Sequence, residues 1–287
     1  MPDKRLRLAL QNSGRLSEGS VQLLNQVGIR FQKSSKRLYS SADNFPLDLY
    51  FLRDDDIPRY VGDGVADIGI VGENVVVEQP GLVEITHRLG FARCRLSVAV
   101  RRSDAYDGPA SLNGKHIATT FPNTLKQFLA EHGVEASVHQ ISGSVEIAPG
   151  IGLADAICDL VSTGSTLLSN GLREVETLLH SEAVLVSNLD LDPELVQLRN
   201  ELVFRIGAVQ EASNHKYILL NVPDSRIAAV SAMLPGMKSP TVVPLQKEGW
   251  SSLHSVVKED DFWEVIDRLR DAGAEGILVV PIEKMIR

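Results

Sequence analysis

The run Ala154 to Val161 is short, mostly apolar and bounded by turn formers, so it reads as a buried strand. It empties at once into Ser162-Thr163-Gly164-Ser165-Thr166 and an apolar helix start at Leu167. A strand, a hydroxyl-and-glycine loop and a helix N-terminus in that order make an anion cradle. The glycine permits close backbone approach, and the N–H groups and helix dipole favour negative charge. Asp155 and Asp159 interrupt the strand, and alternation puts both on one face. Just upstream of a cradle they would repel a bare phosphate. They make sense if they hold ribose hydroxyls, or an Mg²⁺ that bridges to pyrophosphate. The same composition also makes ordinary loops, and an Asp beside a strand is often a cap. Spacing alone leaves both readings open.

The first third of the chain alternates strand and helix signals. Leu6, Leu8 and Leu10 alternate with polar residues, and Ser17 is a candidate N-cap for a helix that Gly28 closes. Leu47 to Leu52 and Ala66 to Val71 read as strands, with a helix opening at Asp54-Asp-Asp-Ile-Pro58 between them. The theme repeats. Arg95–Val100, Lys115–Thr119 and Val138–Ile141 are strands, and Thr124–His132 is a helix closed by Gly133. Ala66-Asp67 before a strand and Gly72 faintly mirrors Ala154-Asp155 before a strand and Gly164. This order predicts two α/β lobes with a cleft at the C-terminal ends of their strands. Lobe I is expected over 1–93 with 185–208 returning to it, and lobe II over 94–184. A helix from Pro193 to about Arg205 leads out. From Lys216 the order becomes β, α, β, β, α, β, a ferredoxin-like (ACT-type) α+β domain over 212–287, with Gly236 and Gly273 as helix C-caps.

Composition excludes several classes. The chain has 287 residues, 44% hydrophobic and 23% charged, with a formal net charge of −8. That acidity argues against non-specific binding to nucleic acid or anionic membrane, and an anionic substrate then needs local Arg, Lys or metal. No apolar run approaches membrane-spanning length, and the N-terminus does not read as a signal peptide. Cys94 and Cys158 lie in apolar runs without a CxxC pattern, as buried thiols of a cytoplasmic protein. The seven His are scattered with no ligand spacing.

Glu146-Ile-Ala-Pro149, the segment Gly152 to Leu167 and Asn170-Gly-Leu172 together resemble the signature of ATP phosphoribosyltransferases, which open histidine biosynthesis. The resemblance continues in Gln11-Asn-Ser-Gly-Arg-Leu16, Arg53 to Pro58, Asp67 to Asn74, Cys94 to Ser97, Pro240-Thr241, Phe262-Trp263 and Pro281 to Met285. It therefore spans nearly the whole chain, in a long form with a regulatory tail. The chain departs from it at Gly150, where a basic residue would be expected, and that position is assigned no phosphate role.

The resemblance implies two lobes like those of periplasmic binding proteins, with the active site between them. It implies transfer of a phosphoribosyl group from phosphoribosyl pyrophosphate (PRPP) to N1 of ATP, with Mg²⁺ and without a covalent nucleophile. Glu146, Asp155 and Asp159 become the catalytic group, with Asp155 and Asp159 also toward metal. Ser162, Thr163, Gly164, Ser165, Thr166 and Leu167 become the PRPP loop. The nucleotide falls to Gln11, Ser13, Gly14, Arg15, Arg53, Asp67, Gly69, Gly72, Asn74 and Arg95. Arg15 offers a bidentate fork for phosphate, and Asp67 could accept from the adenine amine. Without the resemblance, Arg15 also reads as a solvated residue at a helix start; Asp55 and Asp56 read as a solvated charge run there, with Asp54 or Arg53 left to face the cleft, and Lys4, Lys33 and Lys36 as solvated cations. Histidine is expected to inhibit through Asn221, Met237, Ser239 and Thr241, and the chain to form a homo-oligomer between dimer and hexamer. Two rivals share the two-lobed plan. A prephenate dehydratase-like enzyme would need a Thr-Arg-Phe motif not found here. A two-lobed solute-binding protein would have no use for the third domain.

Overall fold

The computed structural model describes residues 4–33, 37–234 and 239–286. The chain divides into two compact units, Met1–Asn200 and Glu201–Arg287.

The first unit holds two sheets. β1 (Leu6–Gln11) buries Leu6, Leu8 and Leu10 completely. It runs parallel to β3 (Leu47–Leu52) and β4 (Ile68–Gly72). Helices α1 (Arg15–Gln26) and α2 (Ile57–Gly62) lie on the crossovers, as parallel pairing demands. With β2 (Tyr39–Ser41), β5 (Glu84–Arg88) and β11 (Ala183–Ser187), the order is β2-β3-β1-β4-β11-β5. The second sheet takes β6 (Cys94–Arg101), β7 (His116–Thr119), β8 (Ser137–Gln140), β9 (Ala156–Val161) and β10 (Leu172–Ser181), in the order β10-β6-β9-β7-β8. α3 (Glu73–Glu78) follows β4, α4 (Pro122–Glu131) follows β7, and α5 (Ser165–Ser169) follows β9. The chain thus leaves the first sheet after β5, completes the second, and returns as β11. The two crossing segments are tied together: Leu89 N–H donates to Ala183 O and Ala183 N–H to Phe91 O, both at 2.9 Å.

α6 (Pro193–Ser213) extends about two turns beyond the Arg205 end expected from sequence and enters the second unit. There β12 (His215–Pro223), β13 (Thr241–Pro244), β14 (Trp250–Lys258) and β15 (Glu275–Pro281) form an antiparallel sheet of order β13-β14-β12-β15. α7 (Ile227–Met233) and α8 (Glu259–Asp271) follow β12 and β14. Val230, Phe262 and Leu269 from these helices join Ile218, Leu220, Val222, Leu253 and Val257 in one core. This is the ferredoxin-like order. Gly236 lies outside the described residues.

Three details depart from the sequence reading. α1 starts at Arg15 on Gly14, whose φ of 92° suits glycine. Ser17 is therefore a buried helical residue and not the cap; its Oγ accepts from Lys33 Nζ at 2.7 Å. Lys33 and Lys4 are engaged cations, Lys4 pairing with Asp192 at 2.8 Å; Lys36 lies outside the described residues. β10 escapes a period-two reading because its register slips twice against β6, between Glu174 and Glu176 and between Thr177 and Leu179. Both cysteines are free thiols, Cys158 buried and Cys94 partly so.

Candidate active site

β9 delivers Val161 to the core and then turns into the loop Ser162–Gly164. Gly164 takes a left-handed conformation (φ 79°, ψ 0°), which a β-branched residue would resist. The turn exposes the hydroxyls of Thr163 and Ser165, 3.0 Å apart, to a pocket of about 380 Å³. Glu146, Asp159, Ser162 to Leu167 and Arg15 line it. Leu167 belongs mostly to the core beneath. Arg15 arrives from the other lobe, and both its terminal nitrogens donate to Ser162 Oγ at 3.3 Å. Arg95 reaches the Ser162 carbonyl at 3.4 Å while paired bidentately with Glu174 at 2.5 Å. That pair holds the Glu174 carboxyl below the usual glutamate range, with Ser97 donating as well. Asp159 is the contrasting carboxylate. Burial pushes it up to about 6, and Glu146 beside it adds to the rise, while the Leu160 N–H opposes it.

A larger cleft of about 960 Å³ adjoins this pocket and shares Asp159 and Leu160 with it. The first lobe contributes Arg53, Asp54 to Asp56, Arg59 and Gln79; the second contributes Asn123, Lys126 and Gln140 to Gly143. Asp55 and Asp56 are exposed, as in a charge run at a helix start, and partial burial with the neighbouring Asp54 raises the Asp55 carboxyl. Lys126 and Arg59 were not legible in the sequence, because no motif marks a surface cation that a distant lobe turns into a cleft wall. Gln11 ends β1, and Ser13 and Gly14 lie in the turn between it and Arg15.

Five predicted positions lie elsewhere. Asp155 precedes β9 at the end away from the loop, about 13 Å along the strand from Asp159. Its carboxylate accepts the His116 N–H at 2.9 Å, and its own N–H donates to His116 O at 2.8 Å. Asp67 does the same before β4: it accepts the Arg7 N–H at 2.7 Å and donates to Arg7 O at 2.9 Å. Its carboxylate is also clamped by the Arg7 guanidinium at 2.6 Å and is buried. The faint internal repeat is therefore a duplicated strand-edge fastening. It commits Asp155 Oδ2 and both Asp67 carboxylate oxygens to fastening strand ends, away from the residues that line the pocket. Gly69 is a packing glycine: a Cβ there would meet Ile57 Cγ2 at 2.6 Å. Asn74 is buried and accepts from Ser181 Oγ at 2.8 Å. Gly72, just before it, leaves room for this side chain, since a Cβ would meet Asn74 Oδ1.

In the second unit, Asn221 and Thr241 lie on the sheet face that α7 and α8 leave open, since their neighbours Leu220, Val222 and Leu253 are the buried ones. Ser252 pairs with Asn221 and His254 pairs with Thr241, so β14 lies between them. His254 contacts Tyr217 Oη at 3.0 Å and Ser252 Oγ at 3.1 Å. Ser239 is exposed at the entry to β13, and Met237 lies outside the described residues.

These features define a two-lobed α/β protein with a polar, anion-compatible pocket at the mouth of its interlobe cleft. The family profile described as ATP phosphoribosyltransferase matches residues 53–207, and that described as HisG, C-terminal domain, matches residues 212–284. An ATP phosphoribosyltransferase of Cytophaga hutchinsonii is 59% identical over 98% of this chain and 99% of its own. One of Azobacteroides pseudotrichonymphae is 52% identical over the same shares. Among solved structures, the ATP phosphoribosyl transferase (HisG:HisZ) complex from Thermotoga maritima matches with a TM-score of 0.60 and 27% identity, over 70% of this chain and 98% of that one. The chain belongs to the ATP phosphoribosyltransferase family.

Proposed function

We propose that this chain joins ATP to PRPP, giving N1-(5-phosphoribosyl)-ATP and pyrophosphate, the first step of histidine biosynthesis. One observation supports the assignment of parts: Glu146, Asp159, the Ser162–Leu167 loop and Arg15 meet around one pocket. The loop hydroxyls and backbone take the 5-phosphate, with Arg15 as the cation closing over it. Glu146 and Asp159 then lie toward the ribose. As the bond from C1 to pyrophosphate oxygen loosens, positive charge grows on the ring, and two carboxylates beside it stabilise that charge. The adenine N1 attacks from the opposite face, and the adjoining cleft, with Arg53, Arg59 and Lys126 as cations, is where the nucleotide is held.

Among the described residues no group of three or more His, Cys, Asp or Glu side chains is placed to hold a metal. The donor set nevertheless fits Mg²⁺ that is ligated largely by substrate. Asp159, raised by burial and by its neighbour, and Glu146 are hard oxygen donors that a cation would relieve. These two would hold it together with the pyrophosphate, and when bound it neutralises the leaving group. Histidine is the inhibitor in this reading, acting through the 212–287 domain. The protein is a cytoplasmic homo-oligomer; among the described residues no helix is long and apolar enough to cross a membrane.

The absorbance change on mixing the protein with ATP, PRPP and Mg²⁺ tests the reaction. PRPP titration tests the loop. Thr163→Ala and Thr166→Ala should each weaken binding, and Gly164→Val, strained at φ 79°, should abolish it. Unchanged affinity in all three folded variants would sink the assignment.

A further inference from the structure

α4 opens without a cap of its own. Its N-cap is Phe121, which makes no side-chain capping bond, and Pro122 has no N–H to offer. The next two N–H groups, of Asn123 and Thr124, donate instead to the carboxylate of Glu78, at 2.8 and 2.9 Å. Thr124 Oγ1 donates to the same carboxylate at 2.7 Å, and Asn123 Nδ2 to the Glu78 carbonyl at 3.1 Å. Glu78 ends α3, which follows β4 of the first sheet, whereas α4 covers the second sheet. The carboxylate is buried where the lobes meet, beside the large cleft. At the other end of α3, Asn74 is bonded to Ser181, where the chain leaves the second sheet. One short helix of the first lobe is thus fastened to the second lobe at both ends.

We propose that Glu78 is an interlobe latch, a positioning residue that sets the opening of the cleft by capping a helix of the opposite lobe. The proposal rests on the reading that the substrates meet in that cleft. A carboxylate at a helix N-terminus is favoured by the local field and by charge-assisted hydrogen bonds. When the lobes part, water replaces those bonds on both sides, so the latch is worth only a modest net amount and can open and close. Glu78 itself is not placed on substrate, because its oxygens are committed to α4.

Hydrogen exchange on the full chain without substrates reads the latch directly. Glu78→Gln sets an amide NH₂ against backbone donors and should speed exchange of amides at 121–126. Glu78→Ala should do the same, and Glu78→Asp, shorter by one methylene, should recover part of the protection. Thr124→Val should give a smaller change that adds little to that of Glu78→Ala, as partners in one contact do. In steady-state assays, losing the latch should raise KM for both substrates about tenfold and lower kcat by less, because bound substrate itself favours closure. Parent-like exchange at 121–126 in Glu78→Gln and Glu78→Ala would overturn the proposal. So would faster exchange with both KM values unchanged. The exchange arm needs no turnover, so it separates failure of the latch from failure of the catalytic reading.

Discussion

Asp159 carries a cost in the ligand-free protein. Its folded carboxyl titrates at about 6, above its ordinary value, mainly through burial. The folded state therefore holds the proton more tightly than the unfolded chain does. Stability is greatest where both forms are protonated, below about pH 4, and declines as pH rises to about 6, beyond which the full cost remains. Asp159→Asn should accordingly be more stable than the parent at pH 7.5 without ligand, by up to about 3 kcal/mol. The gap should close toward pH 4. Turnover should fall about 100-fold or more, as for loss of a group that stabilises developing charge. Melting temperatures across that pH range, beside kcat, check both halves; a variant less stable than the parent at pH 7.5 contradicts the first. Asp159 and Asp155 also show how far a site can be read from spacing. Alternation does put residues four apart on one strand face, but β9 separates them by most of its length. Facing the same way is not lying at the same end. The contiguous loop Ser162–Thr166 was legible because chain adjacency is spatial adjacency there. Arg15 was legible as a candidate phosphate fork, assigned to the nucleotide; its place over a loop nearly 150 residues away comes only from the fold.

At the scale of elements, α2 packs on β4 through the missing side chain of Gly69. A methyl there would sit 2.6 Å from Ile57 Cγ2, 3.2 Å from Val61 Cγ2 and 3.3 Å from Val186 Cγ2. All three neighbours are fully buried, so none can swing aside. Gly69→Ala should lose about 1–3 kcal/mol by overpacking, seen as a lower urea midpoint with unchanged slope; a parent-like midpoint would show that α2 can shift freely. In the first unit the strands that could be placed within a residue or two are β1, β3, β4, β6, β7, β8 and β9, and all but β8 carry buried runs ended by turn residues. β10 was missed because its bulges break the alternation that marks a strand. β2 and β5 were missed because they bury little, so hydrophobic pattern has no purchase on them. The start of α4 at Phe121 is illegible for a similar reason: its capping group lies more than 40 residues upstream.

At the scale of the whole molecule, the third sheet presents Asn221, Ser252, His254 and Thr241 on one open face. If histidine acts there, Ser239→Ala with Thr241→Val should leave turnover unchanged and move the inhibition curve to about tenfold higher histidine. An unmoved curve in an active double variant places the effector elsewhere. The two chain crossings have a bearing on how the protein is made. Every strand of the second sheet lies in one continuous stretch, 94–181, whereas β5 has β11 as its strand partner and β11 is synthesised last of the six in its sheet. A chain emerging from the ribosome can finish its second lobe while the first still waits for residues 183–187 to close it. A fragment spanning 94–181 should melt cooperatively, and one spanning 1–93 should not; a cooperative transition in the latter would reverse the order. The lobe that begins the sequence is then the lobe that folds second.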